Sequence, residues 1–128
     1  WLEKYWGNSM AKILVIDDNE ILLDTTSEIL KINGHNVTAI SDPKMLSSIL
    51  SEPYDLLITD IIMPNIEGLE VILYAKEKYP ELKAIAMTVK SSESVDILDV
   101  ASGIGADATL KKPFKGEALI DKVLKVLS

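Results

Sequence analysis

Residues Ile13–Asp18 read Ile-Leu-Val-Ile-Asp-Asp, four apolar residues followed at once by two carboxylates. The apolar run is continuous and does not alternate with polar residues, which is typical of a strand covered on both faces. Such strands occur in parallel sheets that carry helices on each side. The stretch therefore predicts a buried parallel strand, β1, that ends in two acids.

Similar apolar runs recur along the chain and alternate with segments of helical spacing. The further runs, predicted as strands β2 to β5, are Val37–Ile40, Leu56–Ile58, Ala84–Met87 and Ala108–Leu110. The residues that mark helical faces are Leu22, Thr26, Ile29, Leu30 and Asn33 for α1; Leu69, Ile72, Ala75 and Tyr79 for α3; Val95, Leu98, Ala101 and Ser102 for α4; and Leu119, Val123, Val126 and Leu127 for α5. This fivefold alternation predicts an α/β fold, one parallel sheet wrapped by helices on both faces.

Local signals indicate where several of these helices begin or end. Gly34 is a natural C-terminal stop for α1, and Pro80 ends α3. Helix α2 is predicted to span Asp42–Leu50, with Asp42 as the N-cap and Pro43 at the first helical position.

Polar residues at the carboxyl ends of the strands are the candidates for function, because open α/β sheets bind ligands there. They are Asp17 and Asp18 after β1, Asp60 after β3, Thr88 after β4, and Lys112 and Pro113 after β5. If β1 and β3 are neighbours, their ends lie about 5 Å apart. Two unit charges at that distance repel by roughly 3 kcal/mol at an effective dielectric of about 20. Three crowded carboxylates therefore predict a hard divalent cation, Mg2+ or Mn2+, which keeps open positions for phosphate oxygens.

Thr88 and Lys112 extend the predicted cation site into a phosphoryl pocket. A hydroxyl can donate to one phosphoryl oxygen, and an ammonium supplies a compact positive charge for another. Phosphoryl transfer needs little beyond positioning and charge neutralisation, and a carboxylate is a competent nucleophile. Asp60 is the acid best placed among cation, hydroxyl and ammonium, so we predict that it accepts the phosphoryl group.

Each of these residues also has a simpler interpretation when it is taken alone. Asp17 and Asp18 could form a solvated turn with a helix N-cap, and Asp60 could be a loop residue. Thr88 could be a strand-end hydroxyl and Lys112 a surface charge. The functional interpretation depends on the coincidence of an acid pair, an acid, a hydroxyl and an ammonium at four strand ends.

The composition narrows the class of protein. The chain has 128 residues, 48% of them hydrophobic, which is enough for one domain with a substantial core. A net charge of -7 disfavours direct nucleic-acid binding. No apolar run approaches the roughly 20 residues that span a bilayer, so no membrane binding is expected. The lack of cysteine fits a reducing, cytoplasmic setting, and the single histidine, His35, is interpreted as a surface turn residue.

Residues 1–9 hold both tryptophans and lack the basic start and apolar middle of a signal peptide. Met10 followed by Ala-Lys-Ile-Leu-Val is typical of a natural start. We therefore interpret 1–9 as a tag or non-native leader and 10–128 as one domain.

The chain closely resembles the receiver domain of bacterial and archaeal two-component response regulators, from about Met10 to its end. The matching stretches are Ile13–Glu20, Asp55–Gly68, Ala86–Thr88 and Lys112–Phe114. Motifs this numerous at matching intervals make the resemblance specific. It implies a three-layer, flavodoxin-like (βα)5 fold with a doubly wound parallel sheet in the order 2-1-3-4-5.

The resemblance also implies roles for the acidic residues. Asp60 would take a phosphoryl group from a phosphohistidine on a sensor histidine kinase or a His-containing phosphotransfer protein. Asp18 would bind Mg2+ directly, Asp17 through water, and Ile62 through its backbone carbonyl, with Asp60 completing the protein ligands.

The remaining implied roles concern phosphoryl binding and switching. Lys112 would hold a phosphoryl oxygen, and the Lys112–Pro113 bond would be cis. Thr88 would move toward the new oxygens and shift the face formed by α4, β5 and α5, which carries the contact with a downstream effector protein or domain. A homodimer through this α4-β5-α5 face is left open. The protein would be a signalling switch that assists its own phosphorylation and dephosphorylation, and not an enzyme.

The sequence departs from the family pattern at three places. Thr109 replaces the aromatic residue that usually moves with Thr88, which puts the usual switch readout in doubt. Val89 stands where a small residue is common and could narrow access to the phosphoryl group. Ile62 and Lys90 occupy positions that tune dephosphorylation; because Ile62 has no carboxylate or amide to orient water, we predict a long-lived phosphoryl-aspartate.

Two alternatives compete with this assignment. A phosphatase of the haloacid dehalogenase type also uses an aspartyl nucleophile and Mg2+, but it needs Asp-x-Asp after its first strand and usually a cap domain. Here Asp17 and Asp18 are adjacent, and 128 residues leave no room for a cap. A degenerate receiver that binds partners without phosphorylation conflicts with the intact site residues, although Thr109 keeps it open.

Overall fold

The computed structural model describes residues 11–63, 66–89, 101, 103 and 105–128. Within these ranges, five parallel strands form one sheet in the order β2-β1-β3-β4-β5. The predicted flavodoxin-like α/β fold and its strand order are confirmed. Residues 1–9 and most of the predicted helix α4 lie outside the described ranges.

The elements have the following bounds. The strands are β1 (Lys12–Ile16), β2 (Asn36–Ile40), β3 (Leu56–Asp60), β4 (Lys83–Val89) and β5 (Ala108–Lys112). The described helices are α1 (Glu20–Ile32), α2 (Leu46–Ile49), α3 (Gly68–Lys78) and α5 (Gly116–Leu127). A small antiparallel ribbon, which the sequence did not predict, pairs Ile62–Met63 with Ile66–Glu67 between β3 and α3.

Each face of the sheet carries its own apolar core, as strands covered on both faces require. The core under α2 and α3 includes Leu14, Leu57, Ala86, Leu46, Leu50, Val71 and Ile72. The core under α1 and α5 includes Ile13, Ile58, Met87, Leu23, Leu30, Leu119 and Val123. Burial of one such side chain stabilises a fold by about 1.5–3 kcal/mol, so both layers hold the strand ends in place. None of the described helices combines the length and the apolar character needed to cross a membrane.

Helix α1 is bounded by the signals at both of its ends. Asn19 caps its start, because the Asn19 side chain accepts hydrogen bonds from the amides of Ile21 and Leu22. Gly34 follows its end with a φ of 91°, a left-handed conformation that glycine adopts at no steric cost. This confirms the predicted stop of α1 at Gly34.

The predicted helix over Asp42–Leu50 has Asp42 as its N-cap and Pro43 at its first position, as expected, but its first turn is not α-helical. Pro43–Met45 form a 3-10 turn, and only Leu46–Ile49 are α-helical. The carboxylate of Asp42 does cap this turn by accepting from the Lys44 amide at 2.9 Å.

His35 is also placed differently from its interpretation as a surface turn residue. It is buried, because the turn after α1 packs against the start of β1, where Lys12 pairs with Asn36. The His35 Nδ1 accepts a hydrogen bond from the Ala11 amide at 3.3 Å. Burial lowers the pKa of His35 below its ordinary value.

Candidate functional site

Three of the predicted site residues, Asp17, Asp60 and Lys112, meet at the carboxyl ends of the strands. The Lys112 Nζ lies 2.6 Å from Asp17 Oδ2 and 3.3 Å from Asp60 Oδ2. Strands β1 and β3 are neighbours, whereas β5 lies two strands from β3. With a spacing of about 4.8 Å per strand, only a side chain as long as lysine can reach both carboxylates from there.

Asp60 and Lys112 are the last residues of their strands, and Thr88 lies within β4. Their strands extend beyond the apolar runs because the backbone pairing continues past them, with Asp60 opposite Met87 and Val89 opposite Lys112. Strand geometry therefore fixes the backbone of each of these residues. A site on strand ends is held more rigidly than one on loops.

The carboxylates of Asp17, Asp18 and Asp60 form one cluster. Each offers an oxygen atom, and these three atoms lie within 4.8 Å of one another. Asp17 and Asp60 are buried, while Asp18 is exposed to solvent. The ammonium of Lys112 neutralises one of the three negative charges, and the two that remain match a divalent cation. The hard oxygen donors are those that Mg2+ prefers, so the residues fit this ion.

Asp17 is already engaged through both of its carboxylate oxygens. Oδ1 accepts a hydrogen bond from the Asn19 amide at 3.0 Å, and Oδ2 pairs with Lys112. Its own amide donates to the Ile40 carbonyl at 3.3 Å. Asp17 is therefore a fixed part of the site, whereas Asp18 is free to face a ligand from the solvent side.

The charge environment of Asp60 favours a basic carboxylate. Burial raises the pKa of Asp60, and Asp17 and Asp18 raise it further, against the lowering effect of the Lys112 ammonium. The net pKa lies above the ordinary value. A carboxylate that binds a proton more readily is also a better nucleophile toward other electrophiles.

Thr88 is almost fully buried, and its Oγ1 has no hydrogen-bond partner among the residues that the structure describes. Buried polar atoms without a partner are rare in proteins and call for an explanation. Thr88 follows Met87, which pairs with Asp60. Its position and its unpaired hydroxyl fit a residue that receives a partner only when a ligand is present.

Three further features that the sequence predicted fall within the described residues. Ile62 stands in the small ribbon with a side chain that is 58% exposed. Thr109 is half-buried in β5 and pairs with Ala86 of β4. The Lys112–Pro113 peptide bond is cis. The side chain of Val89 and the residue Lys90, which also depart from the family pattern, lie outside the described part of the chain.

Gly68 has a role that the sequence reasoning missed. A Cβ at this position would overlap the Asp60 carbonyl oxygen and would lie 2.6 Å from the Ile61 Cα. The Gly68 amide donates to the Ile61 carbonyl at 2.7 Å. The start of α3 thus packs directly on the backbone of Asp60. The glycine directly before Leu69, the first residue of the predicted helical face, was the available signal, because glycine marks close backbone approach.

Comparisons with known proteins agree with this geometry. Residues 13–124 match the family described as the response regulator receiver domain. The response regulator SaeR of Staphylococcus aureus is 29% identical over 119 residues, which cover 93% of this chain and 51% of SaeR. The chain therefore spans about half the length of this curated relative.

Solved structures give the same assignment. A response regulator receiver domain protein from Clostridium thermocellum is similar with a TM-score of 0.83 and 29% identity, covering 92% of this chain and 94% of that one. The chemotaxis response regulator CheY4 of Vibrio cholerae is similar with a TM-score of 0.80 and 25% identity, covering 92% of this chain and 99% of that one.

Proposed function

Because this chain belongs to the family of response regulator receiver domains of two-component systems, we propose that Asp60 accepts a phosphoryl group in a Mg2+-dependent reaction. Receiver domains are signalling switches, and they bind Mg2+ at an acidic cluster of the kind formed here by Asp17, Asp18 and Asp60. The observation that carries the proposal is the position of the Asp60 carboxylate between the Lys112 ammonium and the two other acids.

The phosphoryl group comes from a phosphohistidine of a sensor histidine kinase or a His-containing phosphotransfer protein. An Asp60 carboxylate oxygen forms a bond to phosphorus while the bond from phosphorus to the imidazole nitrogen breaks. Lys112 neutralises charge on the transferring group, which is the main requirement of this reaction. The raised pKa of Asp60 supports its choice as the nucleophile.

Four groups of the chain would hold Mg2+: Asp18 directly, Asp17 through water, the Asp60 carboxylate and the Ile62 carbonyl. When bound, the ion would neutralise the clustered carboxylates and the phosphoryl oxygens. The exposure of Asp18 supports direct contact with the ion. The two existing hydrogen bonds of the Asp17 carboxylate support contact through water.

Phosphorylation adds about -1.5 to -2 charges at Asp60. The buried, unpaired hydroxyl of Thr88 supports its role as the residue that moves to meet the new oxygens. This movement would shift the face formed by α4, β5 and α5, and so change the contact with an effector or a second copy. Thr109 has no aromatic ring, so the aromatic movement that usually accompanies the threonine does not carry the readout here.

Response regulators act with histidine kinases and with effectors. SaeR is about twice as long as the matched region, which supports an effector domain or partner for this receiver as well. We propose that the effector contacts the α4-β5-α5 face, with the homodimer through the same face as the alternative occupant.

The switch is tested by adding beryllofluoride and Mg2+ to the labelled protein and recording its amide NMR spectrum. We expect shifts at residues 88–112 in the wild-type protein and none in an Asp60→Asn variant. An unchanged wild-type spectrum over these residues would contradict the proposed function.

A further inference from the structure

The peptide group that follows Asp60 is fixed by hydrogen bonds at both of its ends. The Thr59 hydroxyl donates to the Asp60 carbonyl oxygen at 2.9 Å. The Ile61 amide, which belongs to the same peptide group, donates to the Met87 carbonyl at 2.8 Å. This peptide group therefore cannot rotate without breaking a hydrogen bond inside the protein.

The Thr59 hydroxyl needs this bond for its own burial. Thr59 has no exposed surface, and its register partners are Ile16 in β1 and Ala86 in β4, neither of which has a polar side chain. A buried hydroxyl destabilises a protein unless it is hydrogen-bonded. Valine has nearly the same shape and is common in strands, so packing does not require a threonine. The bond to Asp60 is the feature that distinguishes threonine from valine here.

Gly68 restricts the Asp60 carbonyl from a second direction. Because a Cβ at Gly68 would overlap this carbonyl oxygen, the oxygen lies directly against the bare Cα of the helix start. The carbonyl is thus held between the Thr59 hydroxyl and the backbone of α3. Its peptide plane is connected to the Asp60 side chain through a single Cα.

We propose that Thr59 is a positioning residue for Asp60. Its hydroxyl fixes the peptide plane after Asp60 and thereby sets the direction in which the carboxylate projects toward Asp17 and Asp18. Groups that orient a ligand carboxylate typically change metal affinity by 10–100-fold when they are lost. Since the Thr59 bond is neutral and acts through the backbone, we expect the lower end, about tenfold.

The test compares Thr59→Val, which removes the donor, with Thr59→Ser, which keeps it. We expect the Mg2+ dissociation constant from calorimetry to rise about tenfold in Thr59→Val and to stay at the wild-type value in Thr59→Ser. Hydrogen exchange at the Ile61 amide should quicken in Thr59→Val alone. Thr38→Val is the matched control. It removes the hydroxyl of a threonine on the edge strand β2, which accepts a hydrogen bond from the Tyr54 hydroxyl.

Two results would overturn the inference. One is wild-type Mg2+ affinity in Thr59→Val, and the other is a loss of affinity in Thr59→Ser as large as in Thr59→Val, which would indicate packing. The inference rests on the proposed function for its effect on phosphorylation, but Mg2+ affinity is measured without a phosphodonor. If wild-type protein takes up no phosphoryl group while the affinities follow the expected order, the proposed function fails and the role of Thr59 stands.

Discussion

The side chains of the site differ in how completely their polar atoms are paired within the protein. Lys112 holds Asp17 at 2.6 Å and Asp60 at 3.3 Å, so its bond to the proposed nucleophile is the weaker one. Thr88 has a buried hydroxyl without a partner among the described residues. The longer Lys112–Asp60 contact and the unpaired Thr88 hydroxyl leave two groups of the site available to bind a phosphoryl group.

Thr88→Val tests this account of the hydroxyl. Valine removes a buried polar atom that has no partner, so the unphosphorylated variant should gain about 1 kcal/mol in its free energy of unfolding. Thr38→Val, which removes a paired hydroxyl, should lose stability instead. Urea unfolding without a phosphodonor measures both, and a Thr88→Val variant less stable than wild type would show that the hydroxyl has a structural partner.

The exposed Ile62 predicts a slow loss of the phosphoryl group. Its side chain has no group that could orient an attacking water molecule, and it is open to solvent. We expect the purified phosphoprotein to persist well beyond seconds, and Ile62→Asn to lose phosphate several-fold faster, since an amide can hold the water. A wild-type half-life of seconds would contradict this prediction.

His35 predicts how stability depends on pH. Its pKa is lowered by burial, so below its ordinary value of about 6.5 the unfolded chain binds a proton that the folded protein does not. The contribution of His35 to stability should be constant above this pH and should fall as the pH drops below it. Urea unfolding across this range should show the decline in wild type, and the difference from His35→Gln should narrow with acidity. A difference in stability between wild type and His35→Gln that stays constant with pH would contradict this prediction.

At the scale of elements, the start of α3 determines the position of the end of β3. Gly68 permits this contact, so Gly68→Ala should lower the free energy of unfolding by about 1–3 kcal/mol through overpacking. Gly103→Ala is the control, because a Cβ there meets nothing within 4 Å. Thermal unfolding of both variants gives the comparison. Equal effects would mean that the close approach is relaxed by backbone movement.

The sequence predicted elements well where a strong local signal coincided with a buried face. The continuous run Ile13–Ile16 predicted a doubly covered strand, and Gly34 predicted the end of α1. It did not distinguish the 3-10 turn of Pro43–Met45 from an α-helical turn. It failed for the burial of His35, which depends on packing of the turn after α1 against the start of β1. The ribbon at Ile62–Met63 was missed because two-residue strands have no periodicity to detect.

The residues of the candidate site at the strand ends could be predicted from the sequence, but a residue inside a strand could not. Strand-end position brought Asp17, Asp60 and Lys112 into one predicted group, and the structure places them in contact. The contribution of Thr59 could not be predicted, because a hydroxyl within a buried strand has no signature in sequence. Its partner is a backbone carbonyl, which every residue has.

At the scale of the whole molecule, two separate cores hold one site. Strand β1 contributes to both cores and is followed directly by Asp17, while Lys112 reaches Asp60 across β4. Asp17, Asp60 and Lys112 are therefore positioned by the sheet as a whole, and the start of α3 adds a direct contact with the end of β3. The carboxyl ends of the strands therefore form a rigid frame around the charged side chains of the site.

The central claim is that Asp60 accepts one phosphoryl group and keeps it. Incubation with acetyl phosphate and Mg2+, followed by intact-protein mass spectrometry, tests it most directly. We predict one phosphoryl group per chain, none in Asp60→Asn and none after chelation of Mg2+. Phosphorylation of Asp60→Asn, or release of many phosphates per chain without a stable adduct, would contradict the account and favour a phosphatase.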